Sequence, residues 1–204
     1  MTQATVKILG TDKIVHGRHG ETYFDWIARE GVYGQARDVV AYCLAIGSDS
    51  ICLDLGANIG FTSLVMAALC PKGHVYAFEP GRANFANLRR TMTDSHVLNC
   101  TPINMAVSDH VGVATFREWG PNGYLSATDL GDGSDADRSI SVEVTTVDAW
   151  VSRAGITSLA FMKIDVEGEE LAAIEGARTT IARFKPSSLI EFYTAPHKIA
   201  PTKL

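Results

Sequence analysis

The sequence lacks an apolar stretch of membrane-spanning length, a C-x-x-C pair and a cluster of basic residues, and each absence removes a class of function. The longest nearly apolar stretch, residues 61–70, carries Thr62 and Ser63 and falls well short of the roughly 20 residues that a span requires. Residues 1–13 mix Thr, Gln, Lys and Asp, so they lack the apolar segment of a secretory leader. Neither export nor a membrane partner is expected. The 4 cysteines stand at 43, 52, 70 and 100. Cys43, Cys52 and Cys70 lie in apolar, element-like sequence where a reduced thiol packs as a small hydrophobe, which predicts a structural role and a cytoplasmic protein. With 18 Lys+Arg against 23 Asp+Glu the net charge is -5, a balance that repels a phosphate backbone, so no nucleic-acid partner is expected. There is no internal repeat and no low-complexity tract.

What is present is an ordinary globular composition, 46% hydrophobic and 20% charged over 204 residues, which fits one domain with one core. From residue 51 onward, short apolar runs alternate with amphipathic stretches, the rhythm of βαβ units and a mainly parallel sheet. Strands are expected at 51–55, 74–79, 101–106, 159–165 and 188–193. Helical faces are marked by Phe61, Leu64, Val65 and Ala68, by Phe85, Leu88 and Met92, and by Leu171, Ile174, Ile181 and Phe184 in a single helix before Pro186. Segments 111–117 and 140–146 alternate in period 2 and predict an antiparallel pair added beside the third strand, with Val142 and Val144 inward. Residues 120–139, rich in Gly, Asp and Ser, read as a loop or lid, and Asp148 as the N-cap of a short helix. Residues 1–50 form an N-terminal cap segment on the main domain, 51–204. In it Ala36, Val39, Val40, Cys43 and Leu44 mark an amphipathic helix, and residues 6–9 a strand.

The chemistry is concentrated at two strand ends. In L53-D54-L55-G56-A57-N58-I59-G60 a strand gives way to a helix, and the two glycines let the backbone turn tightly and approach a ligand. A dinucleotide fingerprint needs glycine where Asn58 stands, so that pyrophosphate can reach the helix N-terminus. The form Asp-x-Gly-x-x-x-Gly suits a ligand without phosphate, its amino-acid end held by polar groups around Asp54. Glu79, closing the second strand, can accept from both ribose hydroxyls of a nucleoside. Taken singly, Asp54 reads equally as a helix-capping residue and Glu79 as a solvated strand end. Together, at the carboxyl ends where open α/β sheets bind ligands, they predict a site.

D-L-G-A-N-I-G-F, V-Y-A-F-E-P (75–80), N-M-A-V-S-D (104–109), T-T-V-D (145–148) and M-K-I-D-V-E-G-E-E (162–170) stand in the order seen in FkbM-type methyltransferases, which the chain resembles over about residues 31–192. The resemblance implies a class I methyltransferase (Rossmann-like) fold, a three-layer αβα sandwich on a mainly parallel sheet. It further implies S-adenosylmethionine as cofactor, S-adenosylhomocysteine as product, and O-methylation of a hydroxyl on a sugar or polyketide-like small molecule. Carried over, Asp54, Gly56, Ala57, Asn58 and Gly60 hold the methionine portion, Glu79 the ribose, Pro80 one adenine face, and Ala106, Val107 and Ser108 the adenine edge. Asp165 faces the reacting methyl and the acceptor.

Strand alternation turns Lys163 and Asp165 to one face, and Gly168 allows close approach as the next helix begins. Asp165 is the leading catalytic candidate, with Glu167 as another carboxylate able to take the alcohol proton and His110 as an alternative. Glu167 reads equally as a partner of the helix dipole. Glu191, inside an apolar final strand, implies a pocket or metal role unless an Arg or Lys pairs with it. Asp165 and Glu191 could together hold a divalent cation, though no metal-ligand spacing is present, and His16, His19, His74, His96 and His197 are expected on the surface. The family's fold ordinarily closes with a further helix and an antiparallel strand pair. Only a short tail follows Glu191, so that closure is expected to be lacking: either the sequence is a piece of a longer chain, or the edge at 188–193 is covered by the tail or by a second subunit in a homo-oligomer. Two rival readings remain: a module that binds the nucleoside without turnover, and a nicotinamide-dependent oxidoreductase, which Asn58 disfavours.

Overall fold

In the computed structural model, residues 2–119, 122–126 and 138–192 are described. The chain opens with an antiparallel hairpin, β1 (Thr2–Ile8) and β2 (Thr11–Gly17), where only a strand at 6–9 was expected. Helices α1 (Thr22–Glu30) and α2 (Ala36–Ala45) follow. Then come β3 (Ile51–Leu55), α3 (Phe61–Leu69), β4 (His74–Phe78), α4 (Arg82–Asp94) and β5 (Cys100–Ile103). A short β6 (Ala106–Val107) leads to β7 (Gly112–Trp119), β8 (Asn122–Ser126) and β9 (Arg138–Thr145). The described chain closes with α5 (Val147–Arg153), β10 (Phe161–Ile164), α6 (Glu170–Glu175), α7 (Arg178–Phe184) and β11 (Ser187–Ile190).

The central sheet has the order β11-β10-β3-β4-β5 with every pair parallel. Its two faces are covered separately. Cys52, Phe61, Val65, Leu88 and Phe161 pack on one side with α1 to α4 and the hairpin. Leu53, Leu55, Trp150, Met162 and Ile164 pack on the other with α5 to α7. The result is the expected three-layer sandwich, because a parallel strand buried on both faces carries apolar residues of both parities. Strand order reverses between β3 and β10, so the crevice outside those two carboxyl ends is where such a sheet accepts a ligand. Among the described residues no helix is long and apolar enough to cross a membrane.

Several expectations are corrected by tertiary packing. Strands β7 and β9 do pair antiparallel, with Val142 and Val144 buried, but in a separate sheet of order β6-β9-β7-β8. The stretch expected to be all loop contains β8, which completes that sheet, and residues 127–137 of the expected lid lie outside the described residues. The single helix expected after β10 is broken into α6 and α7, and Leu171 is exposed. At the break, Gly176 lies so close to the backbone of Ser108 that a side chain there would collide with its carbonyl oxygen. Helix α2 turns Tyr42 inward and leaves Val40, Cys43 and Leu44 exposed, because its buried stripe faces the sheet through Tyr42 and Ile46. His16 is buried against α4, with its ring bonded to Asp94 at 2.7 Å and its N–H donating to Thr91. His197 lies outside the described residues.

Asp148 does not cap its own helix. Thr146 does, accepting from the N–H of Ala149, while the Asp148 carboxylate reaches across to accept from the N–H groups of Thr179 and Thr180 at the start of α7. Asp148→Ala therefore leaves two amide donors of a neighbouring helix unpaired. We expect a loss of about 1 to 2 kcal/mol in urea unfolding, with Thr146→Ala costing less than this.

Candidate functional site

The β3 end and the loop after it are shaped by close backbone contact. Gly56 has φ +82°, and a side chain there would run into the carbonyl oxygen of Asp165 on the neighbouring strand. The N–H groups of Gly56 and Ala57 both donate to the Phe78 carbonyl at the end of β4, at 3.0 and 2.8 Å. Asn58 also takes a positive φ, +51°, and Gly60 takes +91° at the start of α3. The loop thus wraps back over the tips of β3 and β4.

Glu79 follows β4 directly and meets this loop. Its carboxylate accepts from the N–H of Asn58 at 2.9 Å and from the N–H of Gly81 at 2.8 Å, so the acidic strand end and the glycine loop form one unit. Asn104 fixes the backbone there, donating to the carbonyls of Glu79 and Pro80. Burial pushes the Glu79 carboxyl up to about 7, against the opposing pull of its two amide donors and of Lys163.

Around this unit lies a cavity of about 450 Å³. Of the residues expected to bind or react, Gly56, Asn58, Glu79, Pro80, Ala106, Val107, Asp165, Glu167 and Glu191 line it. Asp54, Ala57, Gly60 and Ser108 do not. Asp54 is fully buried beneath the loop, its Oδ2 accepting from the hydroxyls of Thr62 at 2.7 Å and Ser63 at 2.6 Å in the first turn of α3. It shapes the loop from behind. Ser108 is buried and donates to Glu169 at 3.0 Å.

The β10 end supplies the acidic side. Lys163 sits opposite Asp54 in the parallel register and donates to Asp165 Oδ2 at 2.9 Å. Glu167 takes φ +52° in the turn that follows, and it carries a carboxyl pushed up to about 7 by burial, then by Asp165, Glu191 and Glu170. Glu191 lies one residue past β11 and is exposed, not buried within the strand, because the strand's pairing ends where its own N–H donates to Ile164. Asp165 beside it raises its carboxyl, with burial second. Among the described residues no group of three His, Cys, Asp or Glu is arranged to hold a metal ion.

Residues outside the motifs complete the cavity. Tyr23, Trp26, Gln35, Asp38 and Tyr42 enter from α1 and α2, and Phe116 and Leu125 from the small sheet. Tyr42 is fully buried, and its hydroxyl has no hydrogen-bond partner among the described residues. The rings of Tyr23 and Trp26 lie side by side there, with centroids 6.2 Å apart.

The cavity presents the Glu79 carboxylate, apolar walls at Phe78, Pro80, Ala106 and Val107, and a turn at Gly56 held too close to the neighbouring strand end for a side chain. The family described as "Methyltransferase FkbM domain" matches residues 54–202. The chain is similar to the 2-O-methyltransferase NoeI of Sinorhizobium fredii (strain NBRC 101917 / NGR234), 28% identical over 148 residues, covering 66% of this chain and 60% of the relative. It is also similar to the 31-O-demethyl-FK506 methyltransferase FkbM of Streptomyces tacrolimicus, 31% identical over 157 residues, covering 62% of this chain and 60% of the relative. The match thus spans 60% of the length of each of these curated relatives. Similar solved structures include a precorrin-6y C5,15-methyltransferase from Geobacter metallireducens GS-15 (17% identity, TM-score 0.42, covering 79% of this chain and 62% of the other). An rRNA methylase from Streptococcus thermophilus is another (11% identity, TM-score 0.45, covering 72% and 63%).

Proposed function

The chain belongs to the FkbM methyltransferase family, and from that premise we propose that it transfers the methyl group of S-adenosylmethionine to a hydroxyl of a sugar or polyketide-like small molecule. The observation that carries the reading is the Glu79 carboxylate bonded to the N–H of Asn58, which joins the acidic end of β4 to the glycine turn after β3, beside the reversal point of the sheet.

In this reading Glu79 accepts from the ribose hydroxyls, Phe78, Pro80, Ala106 and Val107 enclose the adenine, and the turn from Gly56 to Asn58 receives the amino-acid arm. The cofactor, when bound, supplies a methyl group on a sulfonium. What the chain must add is alignment of the acceptor oxygen, worth about 7 to 11 kcal/mol when good, and a place for the proton. Asp165 is already engaged by the Lys163 ammonium, so it suits orientation of the acceptor hydroxyl. Glu167, with a carboxyl pushed up to about 7 and no hydrogen-bond partner among the described residues, suits the general base, a role worth typically about 10² to 10⁴ in rate. Glu191 stands beside them as a further acceptor contact. A divalent cation between Asp165 and Glu191 is not needed by this scheme. The cysteines are unbridged, three of them buried, which supports work in a reducing compartment such as the cytoplasm.

Calorimetric titration tests the reading without knowledge of the acceptor. S-adenosylhomocysteine is expected to bind and NAD is not. Only the ionised Glu79 accepts from two hydroxyls, so affinity should rise as pH increases through about 7, with proton release on binding. Tight NAD binding, or homocysteine-conjugate binding that weakens over the same range, would count against the assignment. Labelled methyl transfer to a panel of sugars, polyols and macrolide alcohols separates an enzyme from a module that only binds.

A further inference from the structure

A lysine inside an apolar layer needs a reason, and Lys163 has little exposed surface, its side chain being 6% accessible. Strand alternation aims it at the same face as its register neighbour Asp54, whose Oδ1 lies 3.8 Å away and has no hydrogen-bond partner among the described residues. Its Nζ also donates to Asp165 Oδ2 at 2.9 Å and to the Gly56 carbonyl at 3.3 Å. One ammonium therefore touches the tip of β3, the glycine turn and the tip of β10. We propose that Lys163 is the positioning residue of the site: its contacts pin the Gly56 turn to the tips of β3 and β10, and its charge favours the ligand-accepting form of Glu79 across the cavity. This rests on the reading of the cavity as an adenosyl site.

The groups surrounding the ammonium make its field count. Asp54 faces it from β3, Tyr42 from α2, Tyr23 from α1, and Asp165, Glu167 and Glu191 from the strand ends and turns beside it. Burial alone would discharge Lys163, but Asp54 and Asp165 outweigh it and hold the ammonium well above its ordinary range. Glu79, on β4's end, receives opposite influences: Lys163 pulls its carboxyl down and Asp54 pushes it up. Its nearer contacts are the N–H groups of Asn58 and Gly81, and Glu118 of β7 accepts from the N–H of Arg82 beside it.

The opposition yields a test with two signs. The affinity of the full chain for S-adenosylhomocysteine is measured by calorimetry from about pH 5.5 to 8.5, and the midpoint of the part of its rise that Glu79→Gln abolishes reports Glu79 rather than Glu167. Lys163→Gln, which keeps a donor and removes the charge, should move that midpoint up by about half a pH unit, roughly a twofold loss at pH 7 beyond any uniform weakening. Asp54→Asn should move it down. Structural damage would weaken binding in both variants and at every pH without shifting the midpoint in opposite directions. If Lys163→Gln does not fold, Asp54→Asn decides alone, and a midpoint that stays or rises overturns the proposal. Wild-type binding with a midpoint that neither variant moves overturns the proposal and leaves the adenosyl reading standing. Wild-type protein that binds no S-adenosylhomocysteine overturns both.

Discussion

Gly56→Ala is expected to abolish measurable S-adenosylhomocysteine binding and to lower stability by roughly 2 to 5 kcal/mol. Two costs add at this position. A left-handed φ of +82° strains any residue with a side chain, and the new methyl would run into the Asp165 carbonyl, a backbone atom that cannot rotate away. Relief requires β3 and β10 to separate at the tip where Lys163 joins them, which opens the cavity itself. Gly10 supplies the control. It has φ +83° in the hairpin turn with nothing within 4 Å of where a Cβ would stand, so Gly10→Ala should show the conformational cost alone, about 1 kcal/mol, and leave binding unchanged. Equal effects at the two glycines in thermal unfolding and titration would show that the close approach of strand and turn does not matter.

Glu79→Gln is expected to weaken S-adenosylhomocysteine at least a hundredfold at pH 8, about 3 kcal/mol, since hydrogen bonds to a charged group are worth about 1.5 to 3 kcal/mol each. The amide is close in shape yet poorly matched: its NH₂ group would face one of the N–H donors of Asn58 and Gly81 that now point at a carboxylate. The same variant has a separate signature in stability. Glu79 has a folded-state value of about 7 against an ordinary 4.5, raised by burial, so its contribution is fully present below about pH 4.5 and is lost as pH rises through about 7. Wild-type stability should therefore fall across that window by an amount on the order of 3 kcal/mol, and Glu79→Gln should flatten this part of the profile. A wild-type profile that is flat between those values would rule out the buried, half-protonated state assigned to this side chain.

The two effects separate binding from folding at one residue. Above neutrality the variant should be as stable as the parent or more so, while its ligand affinity is far lower. A loss of both together would mean that the carboxylate is needed to hold the loop and not only to receive the ribose.

Much of this molecule was legible in its residues because the signals are local. The alternation of apolar runs from Ile51 onward predicts the parallel sheet and its covering helices, since a buried strand and the helix after it each impose their own spacing. The glycines of the β3 turn and the acid closing β4 announce a strand-end site, because backbone shape and chain order depend on neighbouring residues alone. Side-chain duties were another matter. Asp54 belongs to the binding motif yet turns away from the cavity, and Asp148 has a helix of its own yet caps a different one. Leu44 and Leu171 sit at helical positions that spacing marks as inward and are exposed, while His16 and Tyr42 are buried.

From the sequence alone came the fold class, the alternation of parallel strands and helices from β3 onward and a candidate site at two strand ends, because propensity, periodicity and turn chemistry act over a few residues. Only the tertiary structure decided that Lys163 bridges β3, β10 and the glycine turn, which side chains of α1 and α2 wall the cavity, Tyr23, Trp26 and Tyr42 among them, and that β6 to β9 form a sheet of their own. Those outcomes depend on which distant surfaces exclude water from one another and on where a buried charge finds its counter-charge, and neither is encoded in the spacing of residues along the chain.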